Sequence, residues 1–550
     1  MGVNICFYKE ITMNKFLFSV IFFLLPAVLL YPQNTYFVSI NGDDSNNGLS
    51  VDSAFATLQH ASDIVSAGDS VIVLPGAYTG FDLRTGGTQN APIVFKAFDE
   101  NVIIDHPNSI TNDGINIEEA DWIVIDGFKV VDQPRAGIRV AVSDFVTVKN
   151  NECSSNSRWG IFTGFTNDIL IENNVCSYSG SEHGIYVSNS GDRPVVRHNV
   201  CYENNGCGIQ LNADLSQGGD GIITGAVIEG NILHDNCYNG GSAINLDGVQ
   251  ESVIYNNLLY NNHSTGIALF RIDGAEGSKN DKVYNNTIIV PADGRWAVQA
   301  TDGSTGDTVY NNILINHHTF RGSINFDQES NPGFYSDYNL LEDRLSDDGG
   351  NTIMTLAEWQ GLGYDLHSFL VAAENDIFIN PSSGNYHLKP GSQPVDIGTD
   401  MVLPIVNKDL DNLPRPQGNG FDPGAYEFQF PAGIINSERI KYYQLNQNYP
   451  NPFNPVTTIE FSIPKEVPVN LSIYNILGER VKELKNEVMK PGYYEVEFNA
   501  TALASGVYFY RIIAAPPGGQ AGDPSAGSGQ VPSTSSGQVF IQTKKMILLK

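Results

Sequence analysis

The stretch Ile169-Leu-Ile-Glu-Asn-Asn-Val-Cys176 is one copy of a phrase that recurs along the chain between Val146 and Asn312. Other copies are Val146-Thr-Val-Lys-Asn-Asn-Glu-Cys153 and Val195-Val-Arg-His-Asn-Val-Cys201. The closing asparagine returns after 23, 25, 32, 26, 29 and 26 residues, at Asn151, Asn174, Asn199, Asn231, Asn257, Asn286 and Asn312. Self-similarity at such a period is typical of a solenoid, in which each repeat forms one coil.

A second pattern, a strand of the Gly-Ile-x-Val type, follows each asparagine. The runs alternate apolar and polar residues and are rich in β-branched side chains, and no helix-length amphipathic stretch separates them. Each coil is therefore predicted as strand, turn, strand, turn, with parallel strands stacked about 4.8 Å apart. This predicts an all-β fold, a parallel β-helix. Its inward stack comprises Ile138, Ile161, Ile185, Ile209, Ile244, Ile267 and Val298.

The recurring asparagines predict a structural ladder, because each amide can bond to the same amide one coil above and below. Cys153, Cys176 and Cys201 each follow a ladder asparagine by two residues, where other coils have Leu or Ile. They are interpreted as small core hydrophobes. Five cysteines follow the N-terminal leader, and disulfides between them are compatible with the sequence but not required by it.

Charge narrows the choice of ligands. The chain has 31 Lys and Arg against 61 Asp and Glu, a formal charge of −30. Nucleic acids and anionic membranes need a basic face, so both are disfavoured as partners. An acidic polysaccharide would need bridging cations or a local basic patch. A solvated acidic surface is also ordinary for an extracellular protein.

The N-terminus has the pattern of a secretory signal peptide, residues 1–33, with the apolar run Phe16 to Leu30 behind Lys15. No later run is long and apolar enough to predict a transmembrane segment. Residues 34–430 are expected to form the β-helix domain, with an amphipathic capping helix in Ala54 to Val65. The opening Thr35-Tyr-Phe-Val-Ser-Ile-Asn-Gly-Asp-Asp and the closing Asp422-Pro-Gly-Ala-Tyr-Glu-Phe resemble those of secreted right-handed parallel β-helix proteins, which include many polysaccharide lyases.

After a linker at 431–441 the chain changes to short alternating strands, which predict a small antiparallel sandwich over residues 442–550. The motif Tyr449-Pro-Asn-Pro-Phe453 and the final Lys544-Lys-Met-Ile-Leu-Leu-Lys550 resemble the C-terminal sorting domain of the type IX secretion system. The resemblance implies export through the periplasm to the extracellular space or outer cell surface, with the secretion machinery as partner. Residues 516–538, rich in Gly, Ser and Pro, are predicted to be a disordered loop.

The outward residues of the Gly-Ile strands form one flank, in which amides and aromatic rings dominate. Amides bond sugar hydroxyls and aromatic faces stack on sugar rings, so this flank is predicted to bind polysaccharide. The predicted substrate-binding residues are Arg139, Phe162, Tyr186, Gln210, Phe270 and Gln299. The alternative is that they are ordinary solvent-facing residues, and Trp159, His183 and Trp296 fit packing in turns better than ligand binding.

A calcium site is the predicted cofactor site. Ca²⁺ takes six to eight oxygen ligands, and Asn212, Asn245 and Asp247 from adjacent coils could supply several. The alternative is that the aspartates near this edge cap backbone amides in turns.

The coil Ala268-Leu-Phe-Arg-Ile-Asp-Gly274 resembles the Phe-Arg coil of the chondroitin and alginate lyase family. In that family an Arg acts with a Lys base and a Ca²⁺ held by one Asn and two Glu. The resemblance makes Arg271 catalytic and Asn212 a metal ligand, with Asn245 and Asp247 at the carboxylate positions. Where the Lys would follow, this chain has Gln250-Glu-Ser252, so Arg271 or His183 would have to serve as the base.

These patterns together predict a secreted, monomeric, polysaccharide-active β-helix protein. The predicted activity is that of a lyase on glycans containing uronic acid. A non-catalytic carbohydrate-binding module or a cell-surface adhesin is the alternative.

Overall fold

The computed structural model describes residues 33–429, 443–448, 450–514 and 539–549. The predicted signal peptide, the linker 431–441 and the loop 516–538 lie outside these residues, apart from Gln33. Within 33–429 the chain winds through three parallel sheets, which we number in the order that each coil visits them. The predicted all-β parallel β-helix is confirmed.

Sheets I and II have twelve strands each. Sheet I contains Thr35–Val38, Ser70–Val73, Ile93–Ala97, Ile123–Asp126, Thr147–Lys149, Leu170–Glu172, Val195–Arg197, Val227–Glu229, Val253–Tyr255, Lys282–Tyr284, Thr308–Tyr310 and Tyr335–Asp337. Sheet II contains Gly76–Thr79, Val102–His106, Lys129–Val131, Glu152–Ser154, Val175–Ser177, Val200–Tyr202, Ile232–His234, Leu258–Tyr260, Thr287–Val290, Ile313–Asn316, Leu340–Leu341 and Phe369–Leu370.

Sheet III has eleven strands and closes each coil. It contains Phe81–Leu83, Ile115–Glu118, Ala136–Ala141, Trp159–Gly164, Ile185–Ser188, Ile209–Asn212, Ser242–Asp247, Thr265–Phe270, Val298–Ala300, Ile324–Phe326 and Leu345–Ser346. Two short pairs lie outside the three sheets, Ile223–Thr224 with Val249–Gln250 and Phe378–Asn380 with Asn385–Leu388.

Helices are short and peripheral. The α-helices are Leu58–Ile64, Leu356–Gly361 and Glu374–Ile377, and the 3₁₀ turns are Val51–Ser53, Leu215–Gln217, Pro381–Ser383 and Asp400–Val402. The first α-helix lies where the sequence predicted an amphipathic helix. Thr57 caps it, and Leu58 and Ala61 join the core of the solenoid. Among the described residues no helix is long and apolar enough to cross a membrane.

The core is a set of identical positions stacked from coil to coil. The predicted inward residues of sheet III pair in register and are fully buried, from Ile138 through Ile161, Ile185, Ile209, Ile244 and Ile267 to Val298. Cys153, Cys176 and Cys201 pair in the same way in sheet II and are buried free thiols, as predicted. Cys207 and Cys237 are also buried and free.

The asparagine ladder occupies the turn between sheets I and II. Asn174 Oδ1 accepts both the backbone N–H of Asn151 at 3.0 Å and its side-chain amide at 3.1 Å, and Asn199 Oδ1 serves Asn174 likewise. Each amide nitrogen also donates to a backbone carbonyl, as Asn174 does to Val148 at 2.9 Å. The ladder continues through the predicted members and one further residue, Asn339.

A second ladder, which the sequence analysis missed, lies in the turn between sheets II and III. It contains Asn204, Asn236 and Asn262, linked by amide hydrogen bonds of 2.8 and 2.9 Å. Asn156 and Ser179 hold the same position in earlier coils. Each member follows a first-ladder asparagine by five residues, so the spacing alone could have revealed it.

The last part of the β-helix domain folds back over the outer faces of sheets I and II. Apolar residues of 371–428, including Ile377, Phe378 and Phe428, pack on Ile289 and Ile313 of sheet II. Val402, Val406 and Phe421 pack on Tyr284 of sheet I. The outer face of sheet III does not take part in either cluster, within the described residues.

Asparagines beside the first ladder hold this returning segment. Asn256, Asn285 and Asn311 have left-handed backbone angles, φ of 55°, 51° and 56°, which turn their side chains outward. Their amides donate to the carbonyls of Lys408, Asp422 and Thr399 at 2.7, 3.0 and 2.8 Å. In these three Asn-Asn pairs the first residue therefore docks the C-terminal segment and the second builds the ladder.

The final domain is antiparallel, as predicted. One sheet contains Gln444–Leu445, Val456–Ile463 and Gly492–Asn499, and the other contains Val467–Tyr474, Arg480–Met489, Gly506–Ala514 and Phe540–Leu548. Phe461, Phe498 and Tyr510 are buried in its own core. The fold is thus two β architectures in one chain.

Replacing Asn257 by Ala tests the ladder. Its Oδ1 accepts from the backbone and side chain of Asn231 at 2.9 and 3.0 Å, and its amide donates to Ile228 at 3.0 Å. The substitution leaves these buried groups without hydrogen-bond partners. It should therefore lower the free energy of unfolding, measured by denaturant titration, by about 3–5 kcal/mol. The exposed Asn239→Ala should change it by less than about 0.5 kcal/mol; equal effects would contradict the ladder's role.

Candidate functional site

The outer face of sheet III carries most of the residues that the sequence predicted to bind substrate. The strand register places seven outward positions in one row: Arg139, Phe162, Tyr186, Gln210, Asn245, Ala268 and Gln299. The row begins earlier, at Asp82 and Asn116, and continues to Asn325. Because neighbours in the row are about 4.8 Å apart, a polymer lying along it would meet one side chain per coil. Phe270 lies in a second outward row beside Asp247.

Three aromatic rings form a continuous platform in the middle of this face. The ring centroids of Phe162 and Tyr186 are 5.5 Å apart, and that of Trp159 is 4.6 Å from Phe162. The Trp159 indole donates to Glu182 Oε2 at 2.7 Å, and the Arg158 guanidinium lies 4.3 Å from its ring centroid. Trp159 is buried, as its predicted packing role requires, but its ring also belongs to the platform.

His183 stands beside the platform and is held by the backbone. Its Nδ1 accepts the N–H of Cys207 at 3.0 Å, so the ring proton lies on Nε2. Burial lowers the pKa of His183 to about 4, against a weaker opposing effect of Glu182. A neutral imidazole with its lone pair occupied is not placed to accept a substrate proton. The geometry therefore argues against the predicted catalytic role of His183 and fits the packing alternative.

A cluster of charged residues lies at the N-terminal end of the face. Arg84 bridges Asp82 and Glu118 at 2.9 Å each, and Arg139 contacts Glu118 at 3.0 Å. Asn116 donates to Asp82 at 2.6 Å and accepts from Arg139 at 2.7 Å. Partial burial opposes the charge of Glu118, but the hydrogen bond and charge of Arg139 outweigh it and lower its pKa.

The sequence analysis identified only Arg139 among these charged residues. The others lie in Phe81-Asp-Leu-Arg84 and Ile115-Asn-Ile-Glu118, which repeat the alternation of the later strands but precede the regular asparagines. The alternation of inward and outward residues in these two strands could therefore have predicted that Asp82 and Asn116 belong to the same outward row. In the folded protein each arginine of the cluster is paired with a carboxylate.

Asp247 anchors a loop through both of its carboxylate oxygens, and its predicted role as a metal ligand stays a prediction. Its Oδ1 accepts the N–H groups of Ile272 and Gly274 at 2.9 and 3.1 Å, and its Oδ2 accepts that of Asp273 at 2.9 Å. Burial raises its pKa, and these hydrogen bonds oppose the rise. Both oxygens are thus directed at the backbone of the loop that bears Arg271.

Asn212 fits the calcium prediction better than Asp247 does. Its amide donates to Asp273 Oδ2 at 3.1 Å and to the Tyr186 hydroxyl at 3.3 Å, while its buried Oδ1 has no partner. Asn245 donates to Gln210 at 3.3 Å. No group of three or more His, Cys, Asp or Glu side chains able to hold a metal occurs among the described residues. The three residues fit a calcium ion only in part, and calcium stays a prediction.

Arg271 lies on the same loop and is exposed. It makes no hydrogen bond or ion pair with the part of the chain that the structure describes, whereas the neighbouring Lys279 pairs with Glu276. The hydrogen bond from Lys279, and to a smaller extent the charge of Arg271, lowers the pKa of Glu276. Arg271 therefore presents an exposed guanidinium, and its predicted catalytic role stays a prediction.

Comparison with known proteins agrees with this architecture. Residues 36–183 match the family described as Pel9A-like, right handed beta helix region. The chain is thus a right-handed parallel β-helix protein of the pectate-lyase-like fold. Residues 447–516 match the secretion system C-terminal sorting domain, so the chain carries a sorting domain that indicates export by the type IX system to the cell surface or extracellular space.

Individual relatives are distant. A 102-residue segment is 31% identical to the uncharacterized protein YwoF of Bacillus subtilis (strain 168), which is 18% of this chain and 22% of that protein. The crystal structure of pectate lyase Pel9A aligns with a TM-score of 0.48 at 17% identity, covering 72% of this chain and 97% of the other. Alginate lyase from Paenibacillus sp. str. FPU-7 aligns with a TM-score of 0.42 at 20% identity, covering 50% and 96%.

Replacing Asp247 by Ala separates a loop anchor from a metal ligand. Removing the acceptor of three backbone N–H groups should increase hydrogen–deuterium exchange in peptides covering 270–276, whether or not calcium is present. Asp214→Ala is the control, because this half-buried carboxylate accepts only within its own short turn. Protection of 270–276 that depends on added calcium in the parent protein would contradict the anchor.

Proposed function

We propose that the outer face of sheet III binds a polysaccharide containing uronic acid and that the protein cleaves it by β-elimination. The observation that carries the proposal is the aromatic platform of Trp159, Phe162 and Tyr186, set in one row with amide side chains. Aromatic rings stack on the apolar faces of sugars, and amides pair with their hydroxyls. The Pel9A-like region and the sorting domain support an exported, polysaccharide-active protein.

Arg271 is the residue proposed to meet the acidic sugar. The arginines at the other end of the face are paired with carboxylates, whereas Arg271 is exposed on a loop anchored by Asp247. A guanidinium matches a carboxylate through two parallel hydrogen bonds. Neutralising the uronate makes the C5 proton more acidic, which is the first requirement of β-elimination.

The second requirement is a base, and here a binding function without catalysis gains support. His183 has its Nδ1 occupied by the N–H of Cys207, and Gln250 to Ser252 offer no lysine. Only Arg271 remains of the two residues predicted to act as the base, and a charged guanidinium that pairs with the uronate carboxylate cannot also accept the C5 proton. A non-catalytic binding module or adhesin with the same sugar face is therefore the second candidate.

Activity is tested by incubating the full chain with polyuronates and with neutral glycans, while ultraviolet absorbance records unsaturated products. We expect product from at least one polyuronate, and we expect Arg271→Ala to reduce turnover at least about 100-fold because the carboxylate loses its partner. Arg197→Ala is the control, since Arg197 pairs with Glu172 on sheet I. Binding of a glycan without formation of product would favour the non-catalytic binding module. The same assay with a chelator added tests whether the activity depends on calcium.

Affinity for the same glycan tests the platform. Tyr186→Ala removes one ring of the platform and should weaken binding by about tenfold, in line with the energy of one aromatic contact. Tyr186→Phe keeps the ring and loses only the hydroxyl that contacts Asn212, so it should bind within about threefold of the parent. If calorimetry gives the same affinity for Tyr186→Ala as for the parent, the assignment of sheet III as the binding face is wrong.

A further inference from the structure

The turn between sheets III and I contains a short ladder built from carboxyl groups. The backbone N–H of Ala226 donates to Ser252 Oγ at 2.9 Å, that of Ser252 to Asp281 Oδ1 at 2.8 Å, and that of Asp281 to Asp307 Oδ1 at 2.9 Å. The two aspartates close matching turns, Ser278-Lys-Asn-Asp281 and Ser304-Thr-Gly-Asp307. They therefore occupy equivalent positions in successive coils.

This carboxyl ladder copies half of the asparagine ladder. In the asparagine ladder each Oδ1 accepts two bonds from the preceding coil, one from the backbone N–H and one from the side-chain amide, as Asn199 does from Asn174. In the carboxyl ladder the backbone bond is present, but Asp281 has a second oxygen where asparagine has its donor nitrogen. At this place the asparagine ladder has a donor N–H facing an acceptor oxygen. The carboxyl ladder has an acceptor oxygen on both sides.

The structure leaves these second oxygens without partners. Asp281 Oδ2 and Asp307 Oδ2 are buried and make no hydrogen bond, and Asp281 and Asp307 are fully buried. Two adjacent carboxylates without a counter-ion in a buried site would be strongly unfavourable. A proton between them supplies the missing donor and removes one of the two charges.

We propose that Asp281 and Asp307 share one proton in the folded protein, so that a carboxylic O–H takes the place of the amide N–H of an asparagine ladder. The proton resides on Asp281 and is donated to Asp307. The pair thereby forms a proton-binding site inside the solenoid, at the base of the loop that carries Arg271.

The charges around the pair agree with this assignment. Burial and the neighbouring carboxyl of Asp307 raise the pKa of Asp281 most strongly. The hydrogen bond from the Ser252 backbone and the charge of Lys282 lower it to a smaller extent, and Glu251 has the smallest effect, which raises it. Burial also raises the pKa of Asp307, against the hydrogen bond from the Asp281 backbone. Ser252 and Ser304, at the neighbouring turn positions, carry no charge.

The pair makes stability depend on pH in a definite direction. In the unfolded chain both carboxyl groups titrate near about pH 4. Because the folded values are raised, the stability contributed by the pair is fully present below about pH 4. It is lost as pH rises through the raised pKa values of the two carboxyl groups. The turns 271–281 and 301–307 should open more readily in mildly alkaline solution.

Asp281→Asn in the full chain tests the shared proton, since its amide provides the donor without titrating. We expect the Tm of the β-helix transition at about pH 8 to rise by about 2–4 °C relative to the parent, and its fall between about pH 5 and pH 8 to flatten. Asp307→Asn should also raise the Tm. The Tm increase of the double variant should be smaller than the sum of the two single increases, because either change removes the same repulsion. Asp302→Asn, an exposed carboxylate in the same turn, should leave the pH profile unchanged.

Three results would overturn the proposal. One is a Tm at about pH 8 that falls in both single variants. Another is a Tm of the parent protein that falls when a chelator is added, together with a lower Tm for Asp281→Asn than for the parent. This combination would identify a bound cation. The third result comes from the parent protein alone, so it does not require the variants to fold. It would be hydrogen–deuterium exchange of the amides in 276–283 that, after correction for intrinsic rates, is as slow at about pH 8 as at about pH 6.

Discussion

Stacking of identical turns in register is the interaction on which the structure depends. Each tight turn between sheets I and II buries backbone groups that no strand can satisfy, and a side-chain amide satisfies them because it both donates and accepts. Asn174 thus bonds backwards through its oxygen and forwards through its nitrogen. A shift of one residue in any coil would break this chain of bonds, so the register of all three sheets is fixed with it.

Register in turn makes a functional surface possible. Every outward position repeats along the axis, so side chains far apart in sequence become neighbours in one row. The charged cluster from Asp82 to Arg139 and the rings of Phe162 and Tyr186 are adjacent for this reason. The segment 371–428 covers parts of the outer faces of sheets I and II through Asn256, Asn285 and Asn311. This segment leaves the outer face of sheet III uncovered, among the described residues of 33–429.

The acidic residues illustrate how the fold assigns different roles to one chemical group. Asp82 pairs with Arg84, Asp247 accepts three backbone N–H groups, and Asp281 has a buried oxygen that makes no hydrogen bond. The net charge of −30 indicates none of these differences. Environment decides whether a carboxyl is ionised, anchored or protonated, because burial and neighbouring donors change the balance between its two forms.

The sequence by itself determined the solenoid, the inward stack through Ile209, the first asparagine ladder and the sorting domain. These follow from periodicity and local motifs, since a repeated pattern can bury its apolar side only by stacking. Tertiary structure decided the rest. Asp82 and Glu118 joined Arg139, and Asp247 became the anchor of a loop, because hydrogen bonds between coils depend on distances that residue spacing does not give. The roles of His183 and Asp281 depended likewise on which donor the next coil places beside them.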